Sequence, residues 1–283
     1  MKKNFLIALV ALVASMTMNA QDQVQPYFTV DQLPDLIKCL PAPPAFDCPE
    51  FANDMMRFAW GKQQRLNPER AEIAKRDAVW SYEALLAEFD VPFGLHMSPE
   101  DTPEIWKLMV TSMTTTDAMR VAPKAYYHRQ RPFERFQDKM LTDEEAELTG
   151  EGSYPSGHTM RGWTAALLLA EVNPAAADTI FARGWMYGES RVIVGAHWQS
   201  DVDASRVAAS IAVCALHGSA EFREQMTKAQ AEYLEKTGQV SNVCEVVVPE
   251  TTGANHAYRI DGIMATEDTR GIIIKDGKKV LRN

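Results

Sequence analysis

Between about Phe51 and Leu234, apolar residues recur at the spacing of a helix far more often than at that of a strand. Trp163, Ala166, Leu167 and Ala170 occupy i, i+3, i+4 and i+7 behind a Pro155-Ser156-Gly157 start. Asn173-Pro174 reads as a cap followed by proline in the first helical turn, opening a helix through Ile180, Phe181 and Trp185. A third stripe, Val207, Ala208, Ile211, Ala212 and Ala215, stops at Gly218. Alanine and glycine on such stripes let helices approach closely, so the pattern predicts an all-α helical bundle. After about residue 240 the pattern changes. Glu245–Pro249, Tyr258–Gly262 and Gly271–Val280 are rich in β-formers, and Lys275-Asp276-Gly277-Lys278 reads as a hairpin turn. A short β-rich C-terminal appendage is the expectation there.

The first residues follow a different logic. Lys2 and Lys3 precede an apolar core from Phe5 to Ala14, and Ala20 stands before polar Gln21 and Asp22. That order predicts a cleaved secretory signal peptide, too short in its apolar core to span a bilayer. The chain therefore divides into a signal peptide (1–20), a helical domain (21–240) and a β-rich tail (241–283). The tail is either an edge hairpin or similar to the C-terminal sorting tails of some secreted bacterial proteins. No later run is apolar enough for a membrane span, so stable membrane insertion is not expected.

Composition adds exclusions. With 283 residues, 46% hydrophobic and 24% charged, the chain is globular in character. A net charge of −9 argues against coating a nucleic-acid polymer, which needs a basic face, but leaves room for a small basic pocket. Cys39 and Cys48 flank a proline-rich loop that a disulfide could pin. Cys214, in the run Ile211–Leu216, reads as a small core residue, with a bridge to Cys244 as the alternative. No Cys-x-x-Cys pair exists, so no zinc knuckle or redox site is indicated.

Three segments carry chemistry. Lys124 and Arg131 are seven residues apart, which on one helix puts both cations on one face, and Pro132 ends that helix. Ser156 and Gly157 lie where a helix begins, so free N–H groups and the helix dipole favour an anion, with His158 next to it. Arg191 adds a third cation, and His197 and Asp201 stand at i and i+4, so a carboxylate can orient the imidazole. Singly, each has a bland reading: a solvated face, a capped helix start, a structural His–Asp pair or a pair of metal ligands. Together they describe a pocket for a tetrahedral dianion such as phosphate, with one histidine to attack and one to protonate the leaving oxygen. Spacing alone does not decide between His197 and Ser156 as nucleophile.

Lys124-x6-Arg131-Pro132, Pro155-Ser-Gly-His158 and Ser190-Arg191-x5-His197-x3-Asp201 resemble the three-part signature of the phosphatidic acid phosphatase type 2 superfamily. Gly152-Ser-Tyr-Pro-Ser-Gly-His-Thr159 is similar to the signature of the bacterial class A non-specific acid phosphatases, and the likeness runs from about Pro41 to Leu234. The resemblance implies an all-α fold of the acid phosphatase/vanadium haloperoxidase type and a periplasmic, often oligomeric enzyme needing no metal or other cofactor. Its substrates would be small phosphate monoesters. It implies His197 as the nucleophile forming a phosphohistidine, Asp201 as its orienting group and His158 as general acid and base. Lys124, Arg131, Ser156, Gly157 and Arg191 would bind the phosphoryl oxygens. A vanadate-dependent haloperoxidase on the same scaffold is the alternative. A membrane lipid phosphatase is disfavoured by the absence of apolar spans, and a non-enzymatic metal or phosphate binder is the remaining reading. His96, His217 and His256 read as structural or surface groups; His128 and Tyr126, Tyr127 and Tyr154 are candidates for the pocket rim.

Overall fold

The computed structural model describes residues 24–238 and, beyond them, 257–259, 265, 270–275 and 278–282. The expected signal peptide, Cys244, His256 and the Asp276-Gly277 turn lie outside the described residues.

Every regular element within residues 24–238 is helical. In chain order the α-helices are α1 (Leu36–Cys39), α2 (Phe51–Gln64), α3 (Pro68–Arg76), α4 (Tyr82–Ala87), α5 (Asp90–Phe93), α6 (Pro103–Ala118), α7 (Val121–Tyr127), α8 (Pro132–Phe136) and α9 (Glu145–Leu148). They continue as α10 (Gly157–Val172), α11 (Ala177–Ile193), α12 (Gln199–Leu216) and α13 (Ala220–Thr237). Helix α10 is the central element and packs against α6, α11 and α12. It is buried on nearly every face, not on one stripe, because partners surround it: Ala165, Ala166, Leu168 and Leu169 are all inaccessible. The main core gathers Leu85 and Leu86 of α4, Phe89 at the cap of α5 and Phe93 of α5 with Ile105 and Leu108 of α6 and Phe222 of α13. Burial of each such side chain contributes about 1.5–3 kcal/mol relative to exposure.

Several local expectations are corrected. Proline does follow Asn173, but as a 3₁₀ turn (Pro174–Ala176) from which α11 then starts. Asn173 does not cap; its amide donates to the Phe93 carbonyl at 3.0 Å and to the Tyr233 hydroxyl at 2.6 Å. On α12 the buried stripe is Ala204, Ala208 and Ala212, one position out of phase with Val207, which is 48% exposed. Cys39, Cys48 and Cys214 are free thiols, and Cys214 lies on the exposed side of α12 instead of in the core.

The residues after 239 form a separate unit. Its described strands are β1 (Ala257–Arg259), β2 (Gly271–Lys275) and β3 (Lys278–Arg282), in the order β1-β2-β3. Both pairings are antiparallel, with Ala257 opposite Lys275 and Ile273 opposite Val280.

Candidate active site

The turn after α11 places His197. Gly195 adopts φ +88°, a left-handed conformation that side chains resist, and the chain reverses there. The Ala196 and His197 amides both donate back to the Arg191 carbonyl, at 3.2 and 3.3 Å. Trp198 anchors the far side of the turn, packed edge-on against Phe51 and Phe136, with its indole N–H on the Gln130 carbonyl at 2.8 Å. His197 is consequently fixed and only 3% exposed. Its Nε2 faces Arg131 Nη1 at 3.2 Å. A guanidinium only donates, so Nε2 carries the lone pair and Nδ1 the proton.

Asp201 is not on the same helix as His197. It sits in the first turn of α12 and accepts the Trp198 N–H at 2.8 Å, capping the helix start. Its Oδ2 lies 3.4 Å from His197 Nδ1, an ion-pair distance without hydrogen-bond alignment. Its other oxygen takes a 2.6 Å bond from Arg129, whose second Nη lies 2.8 Å from Asp54 of α2. Arg129, Asp54 and Asp201 are 6%, 1% and 0% exposed, so this is a fully desolvated ionic triad. Charges so buried persist only when paired, and removal of one partner typically costs about 3–5 kcal/mol.

Lys124 and Arg131 converge without sharing a helix. Helix α7 ends at His128 (φ +41°), and Arg131 stands at the N-terminal boundary of α8. Both still reach one point: Lys124 Nζ donates to the Gly152 carbonyl at 2.5 Å and Arg131 Nη2 to the same oxygen at 3.4 Å. Glu151 closes over them, 3.5 Å from Lys124, 3.3 Å from Arg131 and 3.4 Å from Arg120. Arg191, inaccessible to solvent, is held by both oxygens of Glu144 at 3.0 and 3.2 Å.

Ser156 caps α10, accepting from the Thr159 amide at 3.3 Å, while its own N–H donates to Ser205 Oγ at 2.7 Å. Gly157 follows at the first helical position, where a Cβ would meet the Arg120 side chain at 2.9 Å. His158 projects from the first turn of α10, with Nε2 against the Ala78 carbonyl at 2.9 Å. A carbonyl only accepts, so Nε2 bears the proton and Nδ1 is the free nitrogen. The Ala78 segment is itself held by Asp77, which is buried and bonded to Arg183 and to Ser190 Oγ.

These groups enclose a cavity of about 250 Å³ lined by Lys124, Arg131, Gly157, His158, Arg191 and His197, with Trp80, Arg120, Glu144, Glu147, Leu148 and Glu151 at its wall and mouth. Ser156 and Asp201 stand behind the lining rather than on it. Tyr154 is buried, its hydroxyl on the Pro41 carbonyl, and does not shape the entrance; His128 lines an adjoining hollow. His96 and His217 pair at the surface with Asp90 and Glu171. Among the described residues no group of three or more His, Cys, Asp or Glu is arranged to hold a metal ion, and no helix is long and apolar enough to cross a membrane.

The electrostatics follow from burial among like charges. Lys124 is pushed down to about 7 by burial and by Arg131. Burial also lowers Arg131, to about 10. Both histidines fall well below the ordinary imidazole value, His158 through burial and Arg191, His197 through burial and the Arg131 and Lys124 cations. The empty pocket thus resists further positive charge, and a dianion relieves that resistance.

Trp80, Arg120, Arg129, Asp54, Glu144 and Glu151 were not singled out from the sequence. Asp54 did carry a signal: it shares a helical phase with Phe51, Phe58 and Gly61, where a carboxylate is out of place.

The PAP2 superfamily model matches residues 105–224. A non-specific acid phosphatase of Providencia stuartii is 40% identical over 73% of this chain and 84% of its own length. Another, of Salmonella typhimurium, is 35% identical over 85% of this chain and 96% of its own. An acid phosphatase of Zymomonas mobilis is 36% identical over 71% and 76%. With relatives this similar over most of both chains, this protein belongs to the non-specific acid phosphatases of the PAP2 superfamily and is an enzyme, an acid phosphatase.

Proposed function

We propose that the enzyme is exported to the periplasm and hydrolyses small phosphate monoesters through a phosphohistidine on His197. The observation that carries this reading is the placement of the two imidazoles and the nitrogen that each leaves free. His197 turns its Nε2 lone pair toward Arg131, and His158 turns Nδ1 away from the Ala78 carbonyl, both in one cation-lined cavity.

In the forward step His197 Nε2 attacks phosphorus, the phosphorus–oxygen ester bond breaks, and the leaving alkoxide takes the proton from His158 Nδ1. His158 then accepts a proton from water as that water attacks phosphorus and breaks the phosphorus–nitrogen bond, releasing phosphate. Lys124, Arg131 and Arg191 balance the charge that develops on the equatorial oxygens, and the Gly157 end of α10 adds its dipole. Ser156 shapes that helix start through its cap. Asp201 favours the imidazolium character that His197 acquires when phosphorylated, and the Ser153 carbonyl against the ring acts in the same sense. A proton on the low-lying His158 requires the bound dianion or an acidic medium, in keeping with acid phosphatase activity.

The signal-like residues 1–20 support export, and the strands between 257 and 282 support reading 241–283 as a β-rich appendage outside the chemistry. The test is phosphate release from an aryl phosphate with a chelator present and vanadate titrated in, with acid-labile, alkali-stable label trapped on the protein. His197→Ala is expected to lose both turnover and label. Label retained in that variant would remove His197 as nucleophile, and halide oxidation by peroxide with added vanadate would favour haloperoxidase chemistry.

A further inference from the structure

The cavity has more wall than a phosphoryl group requires. Trp80, in the segment between α3 and α4, lines it beside Gly157 and His158. Its ring centre is 4.6 Å from that of His158, the two planes inclined at 59°. The Arg161 guanidinium stacks 3.3 Å from the indole centre and is tied to Asp117 at 3.0 Å. Arg120, also paired with Asp117, flanks the same ring at 5.3 Å. The indole is therefore held in place by a cation stack of the kind that aromatic rings favour. Yet Trp80 remains 44% exposed. A large aromatic side chain, braced on one side and open to a catalytic cavity on the other, is a surface prepared for a ligand.

Its position specifies which part of the ligand. A general acid must come within about 2.6–3.2 Å of the oxygen it protonates. With the leaving oxygen at His158, the group attached to it emerges beside the ring packed against that histidine. We propose that Trp80 is the leaving-group platform of this site and that the enzyme favours monoesters whose leaving group carries a planar aromatic ring. The proposal rests on the reading of His158 as leaving-group acid. An aromatic leaving group meets the indole edge-on or offset, whereas a polyol there meets only Arg120 and the carboxylates at the mouth.

Three substrates separate the outcomes: phenyl phosphate, a nucleoside 5′-monophosphate and glycerol phosphate, each assayed for kcat/KM in the wild type, Trp80→Phe and Trp80→Leu. The phenyl-to-glycerol ratio is expected to fall about three- to tenfold in Trp80→Leu and to stay within about twofold in Trp80→Phe, which keeps a ring. A matching fall in the nucleotide-to-glycerol ratio extends the platform to a base carried beyond the ribose. A fall limited to phenyl phosphate confines it to rings on the ester oxygen. Equal losses on all three substrates, or the same change in Phe and Leu, overturn the proposal, since packing alone would then explain the residue. A wild type that hydrolyses none of the three overturns the reading of the site itself, before any ratio is compared.

Discussion

The back wall and the mouth of the cavity are built from the same charges by opposite means. At the back, Arg129 joins Asp54 and Asp201 through bonds of 2.8 and 2.6 Å, all three groups buried. At the mouth, Glu144 and Glu151 pair with Arg191, Arg131 and Lys124, and Glu151 is 40% exposed in its side chain. The first arrangement is permanent, because each member would be a stranded charge without the others. On the proposed mechanism the second is exchanged, a phosphate dianion taking the place of the carboxylates and bringing more acceptor oxygens. On the mechanism proposed above, the protein thus fixes its nucleophile with pairs that stay closed, and holds its anion-binding cations with pairs that open.

The sharpest way to break this comparison is Asp201→Asn. Asparagine keeps an acceptor for the Trp198 amide, so the start of α12 survives, but it removes the charge facing His197 and Arg129. If the back wall works as an electrostatic brace, kcat falls by about 10³- to 10⁴-fold, the upper figure being that of a triad aspartate changed to asparagine. A fall of less than tenfold would reduce Asp201 to a helix cap.

The contrast also marks what the sequence could convey. The helices were legible because their apolar stripes are local, and Ser156 and Gly157 because a helix start is a local event. Lys124 and Arg131 were rightly paired but on the wrong scaffold: the break falls at His128, and although histidine is enriched among left-handed residues, most histidines are not left-handed, so the letter alone does not mark a helix end. The Arg129–Asp54 link spans seventy-five positions, a separation over which a single chain carries no pattern. The carboxylates at the mouth were unreadable for another reason: they occupy the cations only in the fold, and as letters they are ordinary acidic residues in a polar stretch.

Lys124 sharpens the comparison through pH. Its ammonium is lowered to about 7, so the empty site loses this cation as pH rises through that value. Phosphate monoesters have a second pKa near 6 and are dianions across pH 6.5–8.5. KM expressed per dianion, which removes the substrate's own small titration, is therefore expected to climb over that interval. Lys124→Arg, whose charge persists, should flatten the climb; a KM independent of pH in the wild type would show that Lys124 stays charged throughout.

The smallest effect belongs to the mouth. Glu144→Gln removes the charge that holds Arg191 while keeping the side chain's length, so inorganic phosphate no longer competes with a tethered carboxylate. Arg191 is inaccessible and the Glu144 side chain only 19% exposed, so losing this charged hydrogen bond is worth about 1.5 kcal/mol and inhibition by phosphate should tighten about tenfold. If Glu144 yields its place to the dianion, the change appears in Ki and KM but not in kcat. A weaker Ki in this variant would show that Glu144 orients Arg191 for the ligand, making the mouth a second fixed wall and ending the distinction between the two regions.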